Sequence, residues 1–422
     1  MKRGALALVL HVAACRPHSA VAPWVIPEPT SGQAVYDTKI HIDPATAMMD
    51  ARSTLRYLAD DGTAVEVGLL LNRGLELQAV RGVSVRSYRS APFEPESTWN
   101  LIKVRLDGVF PGSVVTLQVA YAGKPELPSD QTNSISTEWV ELNVGSQWHP
   151  ILATFDQEMT GVLHVDLPSD WKVVASGSAS VEDGVHVIRS TIPQLDVALV
   201  AAPSFEQISS ERFTVYYRRS DRRMAAAVLT AADSCGAYLN ARYGAREPLP
   251  EGKLVLAERT GSSYGRKNFI ALSQVDLNDE VGRYVLLCHE LAHYWTRTAG
   301  AFSPHHWMTE SFANYVAGRF IRDHFGQVTF DSVVAQWERF GRYHGPVWTP
   351  ESTTRPSGVA MYSRGPFLLY RLEERIGRER FARFLARYMT EGVRTTPELL
   401  DRLRDVAGAE AERWFRDELA RP

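Results

Sequence analysis

Hydrophobic positions follow two different rhythms along this chain. From about Val35 to Phe205 they alternate with polar ones. Val115, Leu117, Val119 and Tyr121 are separated by Thr116, Gln118 and Ala120, and Leu163, Val165 and Leu167 by His164 and Asp166. A period of two belongs to a strand with one buried face. Turn signals at Asp60-Asp-Gly62, Asp107-Gly108 and Pro111-Gly112 cut the region into short strands, with no helical period and no repeat between them. The pattern predicts a β-sandwich-like domain over residues 34–207.

After Phe205 the rhythm changes. Phe213–Tyr217 still reads as a strand, but Arg222 to Tyr243, alanine-rich and stopped by Gly244, reads as a helix. Lys253–Ala257 and Asn268–Leu272 read as strands joined by a loop, Thr260–Lys267. Beyond them the spacing is helical. Tyr284, Leu287, Leu291 and Tyr294 recur on one face, with neither Pro nor Gly between Tyr284 and Thr298. A second helix opens after Ser303-Pro304. Val328–Phe340, Gly365–Ile376, Glu379–Met389, Pro397–Ala407 and Ala409–Leu419 then form a helical remainder. The expectation is an α+β multidomain chain whose second domain, residues 208–422, sets a small sheet beside a helical lobe.

Composition changes little in this picture. The 422 residues are 45% hydrophobic and 23% charged, as in an ordinary globular protein, and can bury a substantial core. The formal net charge is −3 and no Lys/Arg run stands out, which argues against nucleic acid as a partner. The arginines between Arg371 and Arg387 alternate with Glu at helical spacing and read as a solvated face.

The N-terminus reads as targeting rather than fold. Met1-Lys2-Arg3 is basic, Gly4 to Ala14 is a short apolar stretch, and Val12-Ala13-Ala14 precedes Cys15. The run is too short to span a bilayer. Small residues before a cysteine resemble the bacterial lipoprotein signal. Residues 1–14 would then be removed and Cys15 lipidated, and residues 15–33, with Pro17, Pro23, Pro27 and Pro29, would form a stiff tether. The expectation is an exported protein held to a membrane surface, facing the periplasm. A plain secretory signal cut near Ala14 is the alternative. Cys235 and Cys288 remain. Export permits a disulfide between them, while Cys288 alone reads as a small buried hydrophobe.

The chemistry is concentrated in His289-Glu290-Leu-Ala-His293. On a helix, residues i and i+4 share a face, so both imidazoles can reach one ion. Glu290 lies about 100° around the helix and can lean over an open metal position as a general base. A catalytic zinc usually has three protein ligands. Glu310, in Trp307-Met-Thr-Glu310-Ser-Phe-Ala, is the natural third, since the sixteen residues after His293 allow a turn and a returning helix. Asn314, one turn on, is a candidate support for the ligands.

These motifs resemble the aminopeptidase N-like family of zinc metallopeptidases, gluzincins with a β-saddle domain before a thermolysin-like domain. His289-Glu-Leu-Ala-His293-Tyr-Trp is similar to that family's H-E-L-A-H-x-W, and Trp307-Met-Thr-Glu310 to its W-L-N-E. Tyr362-Ser-Arg-Gly365 is similar to its Y-x-K-G, Trp148 to Asp156 to its F-D-x-P segment, and Trp171 to Gly177 to that segment's usual continuation. The resemblance implies one zinc ion on His289, His293 and Glu310, Glu290 as base, Tyr362 stabilising the intermediate, and peptides as substrates.

Two departures matter. The family's G-x-M-E-N amine anchor falls where this chain has Ser263-Tyr-Gly-Arg266-Lys267-Asn268, which puts two cations where an ammonium group would sit. The chain also stops after the first helical lobe, without the large helical-repeat domain of many members. The expected function is therefore a zinc metallopeptidase, exo- or endopeptidase. A lipid-anchored peptide-binding protein whose zinc site no longer turns over is the alternative, and an ester or epoxide substrate a third reading. Arg364, His305 and His306 read as surface residues or substrate contacts.

Overall fold

The computed structural model describes residues 27–421, apart from 95–97, 129–131, 156, 219–220, 297–299, 301 and 343–344. The signal segment, Cys15 and most of the tether lie outside the described residues, as does Asp156. No helix among the described residues is long and apolar enough to cross a membrane.

The first region is β, as its alternation predicts. Met48–Leu58 and Val114–Gly123 bury every second side chain and pair antiparallel along their whole length. They lie in a seven-stranded sheet. Its order is Ser178–Glu182, Val185–Gln194, Glu158–Asp166, Gln33–Asp43, Met48–Leu58, Val114–Gly123, Leu75–Arg81, and only Gln33–Asp43 and Glu158–Asp166 run parallel. A four-stranded sheet containing Glu66–Asn72 and Trp99–Leu106 shares its core, where Leu55, Tyr57, Leu69, Ile102 and Leu117 meet. A third sheet, Lys172–Ala175, Leu199–Ala202, Val140–Leu142 and Ser134–Ile135, carries the chain toward the second region.

The second region is built on a five-stranded sheet ordered Glu206–Ser209, Phe213–Tyr217, Gly252–Leu256, Phe269–Leu272, Tyr264–Arg266. Its three central strands are parallel and almost wholly buried. The last strand is a correction. Thr260–Lys267, expected to be a loop, contains the three-residue edge strand Tyr264–Arg266. Its residues are all half-buried, so it carries no alternation to read.

Against this sheet and after it come α1 (Arg222–Tyr243), α2 (Glu280–Ala292), α3 (Trp307–Phe325), α4 (Gln327–Gly341), α5 (Gly365–Ile376), α6 (Arg378–Thr390), α7 (Thr396–Ala407) and α8 (Ala409–Ala420). Asp279 caps α2 by accepting from the Gly282 N–H at 2.7 Å. The fold is the expected α+β arrangement of a β-sheet domain followed by a small sheet and a helical lobe. Cys235 of α1 and Cys288 of α2 form a disulfide with their Cα atoms 5.1 Å apart, so Cys288 is one half of a crosslink rather than a free buried thiol.

Candidate active site

The apolar face of α2 turns its histidines toward α3. The helix ends sooner than the run from Tyr284 to Thr298 suggests: Ala292 is its last residue and His293 its C-cap. His293 keeps helical φ and ψ (−59°, −16°), so the i, i+4 relation survives. The Thr296 hydroxyl lies 3.1 Å from His293 Nδ1, held there by the turn that ends the helix.

Asn314 Oδ1, from α3, lies 3.1 Å from His289 Nδ1 and can only accept from it. Both Nδ1 atoms thus have a partner, which leaves the two Nε2 atoms to face Glu310. The two Nε2 atoms are 3.0 Å apart, and Glu310 Oε2 lies 3.4 Å from one and 3.6 Å from the other. Donors about 2.1 Å from a tetrahedral zinc ion stand about 3.4 Å from each other. Glu310 Oε2 has no hydrogen-bond partner although Glu310 is only 7% exposed. A buried carboxylate oxygen left bare beside two imidazole nitrogens costs free energy that a cation removes. The site fits a divalent ion on His289, His293 and Glu310.

Charge and burial act together here. Burial pushes the Glu290 carboxyl up, to about 7, with the His289 charge opposing it. Burial takes His293 down to about 3, against the pull of Glu310. For His289 burial also works downward, but Glu310 and Glu290 outweigh it and the net shift is upward. Burial would raise Glu310, yet His293, His289 and His306 hold it well below the carboxylate range.

Tyr362 lies in a π-helical turn, Ala360–Arg364, that runs into α5. Such turns hold a wider backbone loop than an α-helix and recur at functional sites. Two α3 side chains clamp it: Ser311 Oγ donates to Met361 O at 2.7 Å, and Asn314 Nδ2 to Tyr362 O at 3.3 Å. Gly365 makes the approach possible, because a Cβ there would sit 1.9 Å from Ser311 Oγ. Tyr362 is 41% exposed, which no core aromatic would be, and its ring centre is 6.0 Å from that of His289.

His289, Glu290, His293, Glu310 and Tyr362 line one cavity of about 420 Å³ with Ser263 to Lys267, Gln157, Glu158 and Gln194, so both domains contribute to its wall. The edge strand runs past the base. A Cβ built on Gly265 would lie 3.4 Å from Glu290 Oε2.

No protein-family model matches the chain, and no curated protein does. Solved structures do. The M1 zinc metallopeptidase of Deinococcus radiodurans superposes with a TM-score of 0.67 at 18% identity, over 91% of this chain and 93% of that one. A variant of that enzyme bound to a Tyr-Ser-Ala substrate gives 0.65 at 19%, over 92% and 96%. Yeast LTA4 hydrolase gives 0.75 at 15%, over 92% of this chain and 67% of its own. The fold is that of the M1 zinc metallopeptidases.

Within that M1 fold, several side chains depart from their sequence reading. Arg266 is not a bare cation in the cavity. It forms a buried ion pair with Asp196 of the first region, so its charge is answered before any substrate arrives. His306 is no surface residue: its Nε2 lies 3.2 Å from Glu310 Oε1. His305 Nδ1 is bonded to Thr396 Oγ1 at 3.0 Å, and buried Arg364 donates to Arg421 O at 2.6 Å. Sequence spacing missed Asp196 and Thr296, and gave no sign that Arg355 and Arg394 line the same cavity. The only available signal was for His306, an i−4 neighbour of Glu310 on one helical path.

Proposed function

We propose that this protein is a zinc-dependent metallopeptidase. Zinc would sit on His289, His293 and Glu310, with Glu290 as general base and Tyr362 as donor to the intermediate. The reading is supported by the convergence of three ligand atoms within 4.8 Å of one another, beside the Glu290 carboxylate, on a peptide-sized cavity. When bound, zinc supplies Lewis acidity and lowers the pKa of water toward neutrality.

The chain's own residues carry the proton and the substrate. Glu290, with a proton affinity poised near neutral pH by burial, takes the proton of the attacking water and returns it to the leaving amine. Tyr362 donates its hydroxyl hydrogen to the carbonyl oxygen as that oxygen gains charge. Tyr264–Arg266, at the sheet edge and on the cavity wall, offers backbone groups to an extended peptide.

The test is the digestion of an unbiased peptide mixture, read by mass spectrometry, with and without chelator. Zinc-loaded Glu290→Gln should keep the metal and lose turnover. Tyr362→Phe should lose about 10²–10³ in kcat. Wild-type protein that holds zinc but cleaves nothing would favour the silent binding reading, and a Glu290→Gln protein at the wild-type rate would remove the base. Stepwise loss from free N-termini or internal cuts would decide between exo- and endopeptidase.

The proposal includes export and lipid attachment at Cys15, which rest on the sequence of residues 1–15. Labelled fatty acid should enter the wild-type protein and not Cys15→Ser. Equal labelling of both would discard the anchor.

A further inference from the structure

The strand that lines the cavity beside Glu290 has little of its own domain to hold it. Tyr264–Arg266 is three residues long, where strands commonly run to about 5–6. It lies at the edge of its sheet and pairs with one neighbour, Phe269–Leu272. Its middle residue, Gly265, has no side chain to bury. Yet its backbone is placed closely, since a Cβ on Gly265 would lie 3.4 Å from both the backbone oxygen and Oε2 of Glu290.

The first domain reaches this stretch at three points. Before the strand, Arg259 makes a forked pair with Glu141, Nε to Oε2 at 2.9 Å and Nη2 to Oε1 at 2.7 Å. Its Nη1 donates to Thr260 O and Ser262 O, each at 3.0 Å. At the strand's end, Arg266 donates through Nε to Asp196 and through Nη1 to Gly265 O at 2.9 Å. In the turn that follows, Asn268 Oδ1 accepts from the Gly177 N–H at 3.0 Å. The Tyr264 ring centre stands between the two arginines, 5.9 Å from Arg259 Cζ and 5.3 Å from Arg266 Cζ. Each arginine therefore joins an acid of the first domain to a carbonyl of the strand or of its approach.

Stability alone does not account for these pairs. Glu141 and Asp196 are fully buried. Desolvating a carboxylate and a guanidinium costs about what their attraction returns, and apolar residues of similar volume often hold such a seam as well. An apolar seam is already present, with Val174, Val200 and Phe205 against Val255 and Phe269. Asp196 also leaves Oδ2 without a hydrogen-bond partner among the described residues, a cost that a purely stabilising contact would avoid. What a guanidinium–carboxylate pair adds over apolar contact is direction. It fixes the plane of the guanidinium, and through it the carbonyl that the same group bonds.

We propose that Asp196 and Glu141 are positioning residues: through Arg266 and Arg259, the first domain sets the backbone of Tyr264–Arg266 at the offset from Glu290 that an extended peptide needs to pair with it. The inference rests on the peptidase reading above and adds to it a working role for the first domain. Neither acid is among the residues that line the cavity, so both act through the arginines. Released from them, the strand would keep its pairing with Phe269–Leu272 and lose its fixed distance from α2. A peptide held through its backbone would then bind less tightly, while Glu290 and the three ligands stay in place.

The test is a cycle between protein and substrate. A peptide cleaved in the digest is compared with copies N-methylated at one residue at a time, which lack one backbone N–H each. The proteins are the zinc-loaded wild type, Asp196→Asn, and Asp196→Asn with Glu141→Gln, each checked for zinc content and melting temperature. In the wild type, N-methylation at the pairing residue should cost about 10-fold in kcat/KM, chiefly through KM. The double variant should lose about 10-fold on the parent peptide, again through KM, and N-methylation should then cost it little. Asp196→Asn alone should move the same way by a smaller factor, and it carries the cycle if the double variant does not fold. An N-methylation penalty that is the same in wild type and variants would reduce the pairs to structural contacts and overturn the proposal. So would a wild type indifferent to N-methylation at every residue, with the peptidase reading left standing. Failure to cleave any peptide would instead count against that reading. Calorimetry with the Glu290→Gln protein, with and without Asp196→Asn, then measures the same cycle as binding, and additive losses would dismiss the positioning role.

Discussion

His306 shows how much of this site is carried by a side chain outside the set of three ligands. Its Nε2 lies 3.2 Å from Glu310 Oε1, which leaves Oε2 turned to the histidine pair. Hydrogen bonds of this kind fix the orientation of a ligating carboxylate, and their loss usually costs 10–100-fold in metal affinity. We expect His306→Ala to bind zinc about 10–100-fold more weakly in competition with a chromophoric chelator. His306→Gln, which keeps an N–H donor on a side chain of similar reach, should recover part of that loss. An alanine variant with unaltered affinity would show that Glu310 orients itself.

Secondary-structure elements supply the accuracy that single side chains cannot. The disulfide fastens α1 to α2 at the residue before His289, and α3 is clamped to the Tyr362 turn through Ser311 and Asn314. Because the crosslink closes a loop of sequence separation 53, it should remove about 4 kcal/mol of chain entropy from the unfolded state. Replacing both cysteines by alanine should therefore lower unfolding free energy by about 2–5 kcal/mol in a denaturant titration. Reductant should destabilise the wild type and leave the variant unmoved. Two free thiols detected in the native protein would rule the crosslink out.

Across the whole molecule the two domains meet through charge as well as through apolar packing. Arg259 pairs with Glu141 at 2.7 Å and Arg266 with Asp196, all four side chains being largely buried. Lys253 Nζ donates to Ala175 O at 3.0 Å. Between these contacts Val174, Val200 and Phe205 pack on Val255 and Phe269. The seam runs beside the cavity, so the first domain shapes the site as well as supporting it, through Gln157, Glu158 and Gln194 on the wall and Asp196 behind Arg266.

Much of this was legible before any coordinates. Periods of two and of 3.6 residues placed the strands of the first domain and most helices of the second, because one-sided burial writes itself into the spacing of apolar residues. The metal helix, its glutamate and the helix bearing Glu310 come from local spacing alone, since i, i+4 geometry is a property of one helix. What local spacing cannot carry is contact between residues far apart in the chain. The edge strand Tyr264–Arg266 has no alternation, and Arg266 looked like a free cation until Asp196, seventy residues earlier, was brought against it. Whether a charge is spent or available depends on what the folded chain sets beside it. Composition and pattern were enough to point to His289, Glu290, His293 and Glu310 as candidates for one site, but only three-dimensional packing could show that Arg266 is answered by Asp196 and that Glu310 Oε2 turns to the histidine pair.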